Sequence, residues 1–510
     1  MACQSISTPL PHQQSTNAPL YNDFRNLEIE YAAFTTQALT QNYLERKIHH
    51  WLDTNNGAAM VREIEFARYK HPELLLQIMD ADDVLCESSL AVTEVQSYRG
   101  IHPAFSEYLQ GFACVHSGEF NVSSENSQEF HRDAAVAMNP DGQFLVVWRS
   151  QQKESAIYRI QAQRFLANGP PLAPAFDVGQ ITTSYQYYGD VAFFDDGSFI
   201  IIWCLSEHIP SDLQGGFNVY AQRYFANGTA NGPAFRANLH TDGNQYAPAV
   251  ATSANGNFVI VWQDQKLEGS QDGIYGRLYT SNGSPSGPVM HINTITTGIQ
   301  TQADVAMSDD GRFTVTWTTM PGSQLDTPRI VAQQFLADGT KSGNEFQVNT
   351  HDINEQNSPA LAMSGDGRFV IAWNSKEQDG DKGGIFAQRF QANGSPLNGE
   401  LPINALTLHE QSNPSIVLSE DQRFLVTWQS DLHDGSGLGI YTRAFDAQNQ
   451  PATAQEIRVN TSIANHQNLP AIASNGSQAV MVWQSQHSNG GDYSIFGQRF
   501  DWLSNGLTPK

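Results

Sequence analysis

The chain has 510 residues, 28 basic against 52 acidic side chains, a formal net charge of −24, and 40 glycines. That length allows several domains or one large repeat array, and 40% hydrophobic with 16% charged residues suits a turn-rich β protein better than a helical one. The negative charge argues against nucleic acid and anionic lipid as partners. No run reaches the roughly 18 apolar residues of a membrane span, so the expectation is a soluble monomer without membrane insertion.

Residues 1–20, "MACQSISTPLPHQQSTNAPL", lack the basic start and apolar centre of a secretory signal. They are polar and Pro/Gln-rich, which predicts disorder, and the expected location is cytoplasmic or outside by a non-classical route. Residues 21–98 form a predicted α-helical module: Phe24, Leu27, Tyr31, Phe34, Ile48, Trp51 and Leu52 recur at helical spacing, and a further helical pattern runs from Ala58 to Met79 around Pro72. Residues 99–117 are expected to link this module to the rest of the chain. The four cysteines, Cys3, Cys86, Cys114 and Cys204, have no metal-type spacing; four free thiols is the preferred reading, with a Cys86–Cys114 disulfide left open.

From 118 to 506 the sequence repeats. "DGQFLVVWRS" at 141 has counterparts at 196, 255, 310, 366, 421 and 476, which place Trp148, Trp203, Trp262, Trp317, Trp373, Trp428 and Trp483 at gaps of 55, 59, 55, 56, 55 and 55. Each unit adds an apolar run before the Trp strand ("PALAM" at 359), a strand after it ("IFAQRF" at 385) and a last strand ("EFQVN" at 345). Asn-Gly and Asp-Gly pairs join the first to the second strand and the third to the fourth, as in Asp366-Gly367 and Asn393-Gly394; these pairs supply the positive φ of tight hairpins. Each unit is therefore a four-stranded meander, with strands a, b, c and d in chain order.

Seven such meanders predict a mainly β protein, a seven-bladed β-propeller of antiparallel blades. Strand b is apolar without alternation because each blade is stacked between two others. Phe369, Ile371 and Trp373 point one way, Val370 and Ala372 the other, and the large face of one blade is expected to fill the small face of its neighbour. The seven tryptophans are read as packing residues. The seventh unit stops after strand c, whereas "EFNVS" at 119 is a strand d with no unit of its own. The N-terminal strand is thus expected to complete the last blade and close the ring.

Seven copies serve as one another's control. A Gln lies 16 or 17 residues before Trp in six units (Gln186, Gln245, Gln300, Gln356, Gln411, Gln467), and His131 replaces it in the first. The Gln is read as a backbone clamp where strand d crosses to the next strand a. The strand-c Arg164, Arg223, Arg389 and Arg499 are read as edge or inter-blade contacts. From the strand-c Arg position to the next Trp the distance is always 39 residues, while from Trp forward it varies between 16 and 20. Insertions fall in the b–c loops, which share a face with the d–a connections, and a variable loop set on a fixed scaffold is the usual place for binding.

On that face the candidate binding residues are His131, Tyr187, Tyr188, Glu207, His208, His240, His351, Asp379, Asp381, His409, Asp431 and Asp434. The acids Asp379, Asp381, Asp431 and Asp434 have the oxygen chemistry of a calcium site without the spacing of a calcium loop. No cofactor is expected, calcium being the one alternative. No catalytic constellation appears: there is no GxSxG, HExxH or P-loop motif.

The unit "DGxFVVVWxS…DGxGIxAQRFxxxGxxxGxEFxVN…QxxPAVA" resembles repeats of large bacterial surface or secreted proteins, which often accompany cadherin-like or haemolysin-type calcium-binding segments. The resemblance covers residues 118–506, implies a bacterial propeller of binding or adhesive type, and brings no catalytic residues. The main expectation is a non-catalytic scaffold whose loop face binds a protein or glycan partner. One alternative is an enzyme acting on a glycan, a hydrolase or lyase with acids in the axial pocket; another is a calcium-stabilised surface adhesin.

Overall fold

The computed structural model describes residues 2–5, 112–115 and 118–510, the last range without 124–128, 154, 156, 180–184, 207–215, 268–271, 321, 323–326, 434–436, 454, 488–492 and 504–505. It divides into Met1–Gly118 and Glu119–Lys510. In the first unit Ala2–Ser5 pairs antiparallel with Phe112–Val115, and Cys3 stands opposite Cys114. The predicted helical module and Cys86 lie outside the described residues. No helix among the described residues is long and apolar enough to cross a membrane.

The second unit is a seven-bladed β-propeller of antiparallel blades with strand order a-b-c-d. In the fifth blade the strands are Gln356–Met363, Phe369–Lys376, Gly383–Phe390 and Pro396–Pro402. The strands a are Glu129–Met138, Tyr185–Phe193, Gln245–Thr252, Ile299–Met307, Gln356–Met363, Gln411–Leu418 and Gln467–Ser474. Each lies against strand a of the next blade, the seventh against the first, so together they surround the axis.

Every blade interface has its own apolar cluster, built as the two-faced strand b predicts. Between the first and second blades Leu145, Val147, Ile160 and Ala162 receive Phe199, Ile201, Trp203 and Tyr224. Between the fourth and fifth, Ile330 and Ala332 receive Phe369, Ile371 and Trp373. All seven repeat tryptophans are buried. The strand-c arginines also cross between blades: Arg164 donates to Ala226 O, Arg223 to Ser281 O, Arg389 to Ala447 O and Arg499 to Ala167 O. The shared Gln clamps the d–a connection, with Gln245 Nε2 on Asp242 O, Gln356 Nε2 on Ile353 O and Gln467 Nε2 on Ala464 O.

The seventh blade draws its outer strand from both ends of the unit. Phe120 and Asn121 pair with Gly497 and Phe496 of strand c, Tyr493–Leu503. Gly506–Pro509 pairs with the other end of the same strand, Pro509 opposite Phe500. The bonds match those of a continuous strand d: Val122 N to Ile495 O and Lys510 N to Arg499 O repeat Val178 N to Ile160 O and Leu172 N to Arg164 O of the first blade. The sheet therefore runs past residue 506, the end expected from the repeat, and buries Trp502. Glu119 accepts from Thr461 N at 2.7 Å, as Glu345 does from Thr294 N and Glu456 from Ala405 N one blade along in each case.

Candidate functional site

The axial mouth on the d–a side is shaped by a defect that all seven strands a share. Each slips register by a β-bulge, between Arg132 and Ala135 in the first blade, Tyr187 and Asp190 in the second, and at equivalent places in the rest. Inside the bulge one residue is left-handed: Asp133, Tyr188, Ala247, Gln302, Ser358, Asn413 and Leu469 have φ between 47° and 56°. Only small costs attach to Asn or Asp there, but Tyr, Gln and Leu are held at a cost of order 1 kcal/mol each. Bulges re-aim side chains and are enriched beside active sites.

Two places deeper, about 7 Å along the strand, the column reads Ala135, Asp190, Ala249, Asp304, Ala360, Ser415 and Ala471. Asp190 Oδ2 accepts from Val250 N of the next blade at 3.0 Å and Asp304 Oδ2 from Leu361 N at 2.7 Å. Ser415 Oγ makes the same stitch to Ile472 N at 3.3 Å. Desolvation among the inner strands pushes the Asp190 carboxyl up to about 7 and that of Asp304 up to about 6, the charge of Asp304 adding to the rise at Asp190. The two acids stand on non-adjacent blades, and the charge of Asp304 is felt at Asp190. The ring does not require an acid at this level, because Ala or Ser serves in the other five blades.

Raised pKa values mean that the folded ring holds protons that the unfolded chain has already released between about pH 4 and 7. These two groups therefore cost stability as pH rises through that window. The Asp190→Ser/Asp304→Ser variant is expected to gain on the wild type in urea-unfolding free energy from pH 4.5 to 7.5. A constant difference between the two proteins across that range would contradict the burial of these charges.

Above the acids, the first three blades carry aromatic and charged side chains that the other four lack. Tyr188 is 52% exposed at the mouth. Tyr187 packs on Tyr158 at 5.0 Å and edge-on to Phe217 at 5.3 Å between centroids. The Arg149 guanidinium lies over Tyr158 and Tyr187 and pairs with Asp133 at 2.7 Å. Tyr246 donates to the Asp272 carboxylate, which Gln263 Nε2 also approaches at 2.6 Å. At the positions of Tyr187 and Tyr188 the last four blades have Thr301 and Gln302, Asn357 and Ser358, Ser412 and Asn413, Asn468 and Leu469.

The opposite mouth, ringed by a–b turns, opens to a cavity of about 540 Å³ lined in part by Asn139, Asp195, Glu420 and Arg423. Its acids are engaged: Glu420 accepts from Gly365 N and Asp421 from Arg423. It brings no comparable set of aromatic rings and shifted acids together.

The sequence-predicted residues divide accordingly. Tyr187 and Tyr188 belong to the mouth. His131 is buried and accepts from Trp148 Nε1 at 3.2 Å, where Gln300 and Gln356 accept from Trp317 and Trp373. It does within the scaffold of the first blade what Gln does in those blades. His409 N donates to Asp381, Asn404 Nδ2 to Asp379, and Thr350 N and His351 N to Glu400; His240 Nδ1 lies 3.6 Å from Asp264. Asp431 bonds through its backbone to Glu410 O. Asp379, Asp381, His409 and Asp431 all meet the one d–a connection between the fifth and sixth blades, His240 and His351 belong to others, and among the described residues no three His, Cys, Asp or Glu side chains gather as a metal site would require. Glu207, His208 and Asp434 lie outside the described residues. Asp133, Arg149, Asp190 and Asp304 are not among the sequence candidates; aligning the repeats on the shared Gln exposes the two axial acids as exceptions in an Ala column.

The likeness to known proteins is one of fold. No family model and no curated protein matches the chain. Similar solved structures include a protein of unknown function from Dyadobacter fermentans, 12% identical, covering 78% of this chain and 100% of its own, with a TM-score of 0.46. An α-L-arabinanase of Penicillium chrysogenum in complex with arabinobiose is 11% identical, covering 74% of this chain and 96% of its own, with a TM-score of 0.41. The Hadza microbial sialidase Hz136 is 10% identical, covering 70% and 76%, with a TM-score of 0.40. The expected non-catalytic binding scaffold is corrected against these findings. The similar structures of stated activity are glycan-acting enzymes.

Proposed function

We propose that the protein is an enzyme acting on a glycan at the axial mouth on the d–a side of the ring. The observation that carries this reading is the pair Asp190 and Asp304, two axial acids raised to about 7 and about 6 where the scaffold needs neither. Between those values Asp190 keeps its proton and Asp304 is ionised, the division of labour that glycoside cleavage requires. Asp190 donates its proton to the departing glycosidic oxygen as the bond to the anomeric carbon breaks. Water bonds to that carbon and gives up its proton to Asp304. Tyr188, with Tyr187 behind it, offers the exposed aromatic face on which a sugar ring stacks.

The split outer strand of the seventh blade serves this site as the latch of the ring, since the acids on the second and fourth blades keep their facing positions only while the circle is closed.

The direct test is release of reducing ends from a panel of oligosaccharides at pH 6.5. Cleavage of at least one member by the wild type, absent in Asp190→Ser, is the expected result. A panel left intact by a folded wild-type protein would overturn the reading.

A further inference from the structure

The mouth also holds a cation that the fold does not use. Arg132 and Arg149 are directly opposite each other across strands a and b of the first blade. Their guanidiniums turn to opposite neighbours, Arg132 to the seventh blade and Arg149 to the second, and the six equivalent pairs are neutral: Tyr187–Cys204, Tyr246–Gln263, Thr301–Thr318, Asn357–Asn374, Ser412–Gln429 and Asn468–Gln484. The scaffold therefore has no need of arginine at either place. Arg149 is satisfied by Asp133 and by two tyrosine rings. Arg132 is exposed; its guanidinium lies 4.9 Å from the centroid of the Tyr493 ring, contributed by the seventh blade, and it has no carboxylate partner among the described residues. In a chain with a net charge of −24, an exposed arginine set on an aromatic ring, with no carboxylate partner among the described residues, is a counter-charge open to a ligand.

We infer that the glycan taken by this site is anionic, bearing a carboxylate or a sulfate ester that Arg132 receives at the mouth while the neighbouring sugar bond reaches Asp190. The inference rests on the glycan-acting reading and names its substrate class. The planar guanidinium fork matches either oxyanion group with two parallel hydrogen bonds. Glu129, three residues earlier on the same strand, already holds Arg159 at 2.6 Å. Arg149, buried further and bound to Asp133, positions Tyr187 and raises the local potential.

Calorimetric titration of the full chain with three probes tests this: an oligogalacturonate for the carboxylate, a chondroitin sulfate oligosaccharide for the sulfate, and an uncharged arabino-oligosaccharide. One anionic probe is expected to bind at least about tenfold more tightly than the uncharged one, and Arg132→Gln to remove that preference, while Arg132→Lys retains part of it and the melting temperature of both variants stays at the wild-type value. Tighter binding of the uncharged probe, or an anionic preference unchanged in Arg132→Gln, would overturn the inference and leave the glycan reading standing. Binding of none of the three by a folded protein that also cleaves no panel oligosaccharide would remove the glycan reading and the inference with it.

Discussion

Replacing Asp190 by Ser is expected to lower glycan cleavage by about 10²-fold or more with little change in the fold. Serine is the informative substitute because the protein already uses it: Ser415 holds Ile472 N of the next blade through its hydroxyl, as Asp190 holds Val250 N. The variant keeps the inter-blade bond and loses the titrating group together with its bond from Val191 N. An alanine, as in Ala249 and Ala360 at the equivalent positions, would serve as a second control. The rate should fall with kcat while KM stays nearly constant, because Asp190 sits two residues below Tyr188, the ring proposed to stack on sugar. A fall in melting temperature of several degrees together with full specific activity would instead assign Asp190 to structure alone.

The second large effect concerns the latch. Phe120 packs on Phe144 and Phe165 at 6.0 and 5.5 Å between centroids, and its ring lies beside Gly497, where a Cβ would fall 2.7 Å from it. It repeats the contact of Phe176 with Tyr224 and of Phe346 with Phe390, each the outer strand of one blade against strand c of the next. Phe120→Ala is expected to cost about 3 kcal/mol, and Glu119→Ala about 1–2 kcal/mol through the orphaned Thr461 N. Because Phe120 is tied to its blade by noncovalent pairing only, the double variant should also speed hydrogen exchange in strand c of the seventh blade. The same truncation at Phe176, whose strand continues the chain of its own blade, should leave exchange in its strand c nearly unchanged. Equal behaviour of the two variants would mean that the N-terminal strand is no latch.

Much of this fold is legible in the chain. The Trp period, the Asp-Gly turns and the unbroken strand b specify seven stacked blades, and the Gln clamp, present in six units, and the inter-blade Arg, present in four, follow from comparing the units with one another. The site is less legible for a physical reason. A β-bulge shifts the alternation of strand a by one residue, so a period of two read across it misplaces every residue beyond, Asp190 and Asp304 among them. The search for exceptions succeeds with Tyr187 and Tyr188 and misleads with His131, because a residue can depart from its column to do the same job, here accepting the Trp148 N–H. Loop acids such as Asp379 and Asp381 look available in sequence because nothing there reveals Asn404 and the His409 amide as their partners. The outer strand of the seventh blade is half legible: "EFNVS" resembles strand d of the other units, while the C-terminal half keeps only the Asn505-Gly506 pair of the c–d turn.

The paired roles of Asp190 and Asp304 are read out by the pH dependence of kcat for glycan cleavage. A bell is expected with its limbs set by the axial pair, rising as Asp304 ionises near pH 6 and falling as Asp190 loses its proton near pH 7. Asp304→Ser removes the acid limb and Asp190→Ser the alkaline one from whatever activity remains. A profile flat between pH 5 and 8, or one whose limbs survive both substitutions, would show that the axial acids do not carry the reaction.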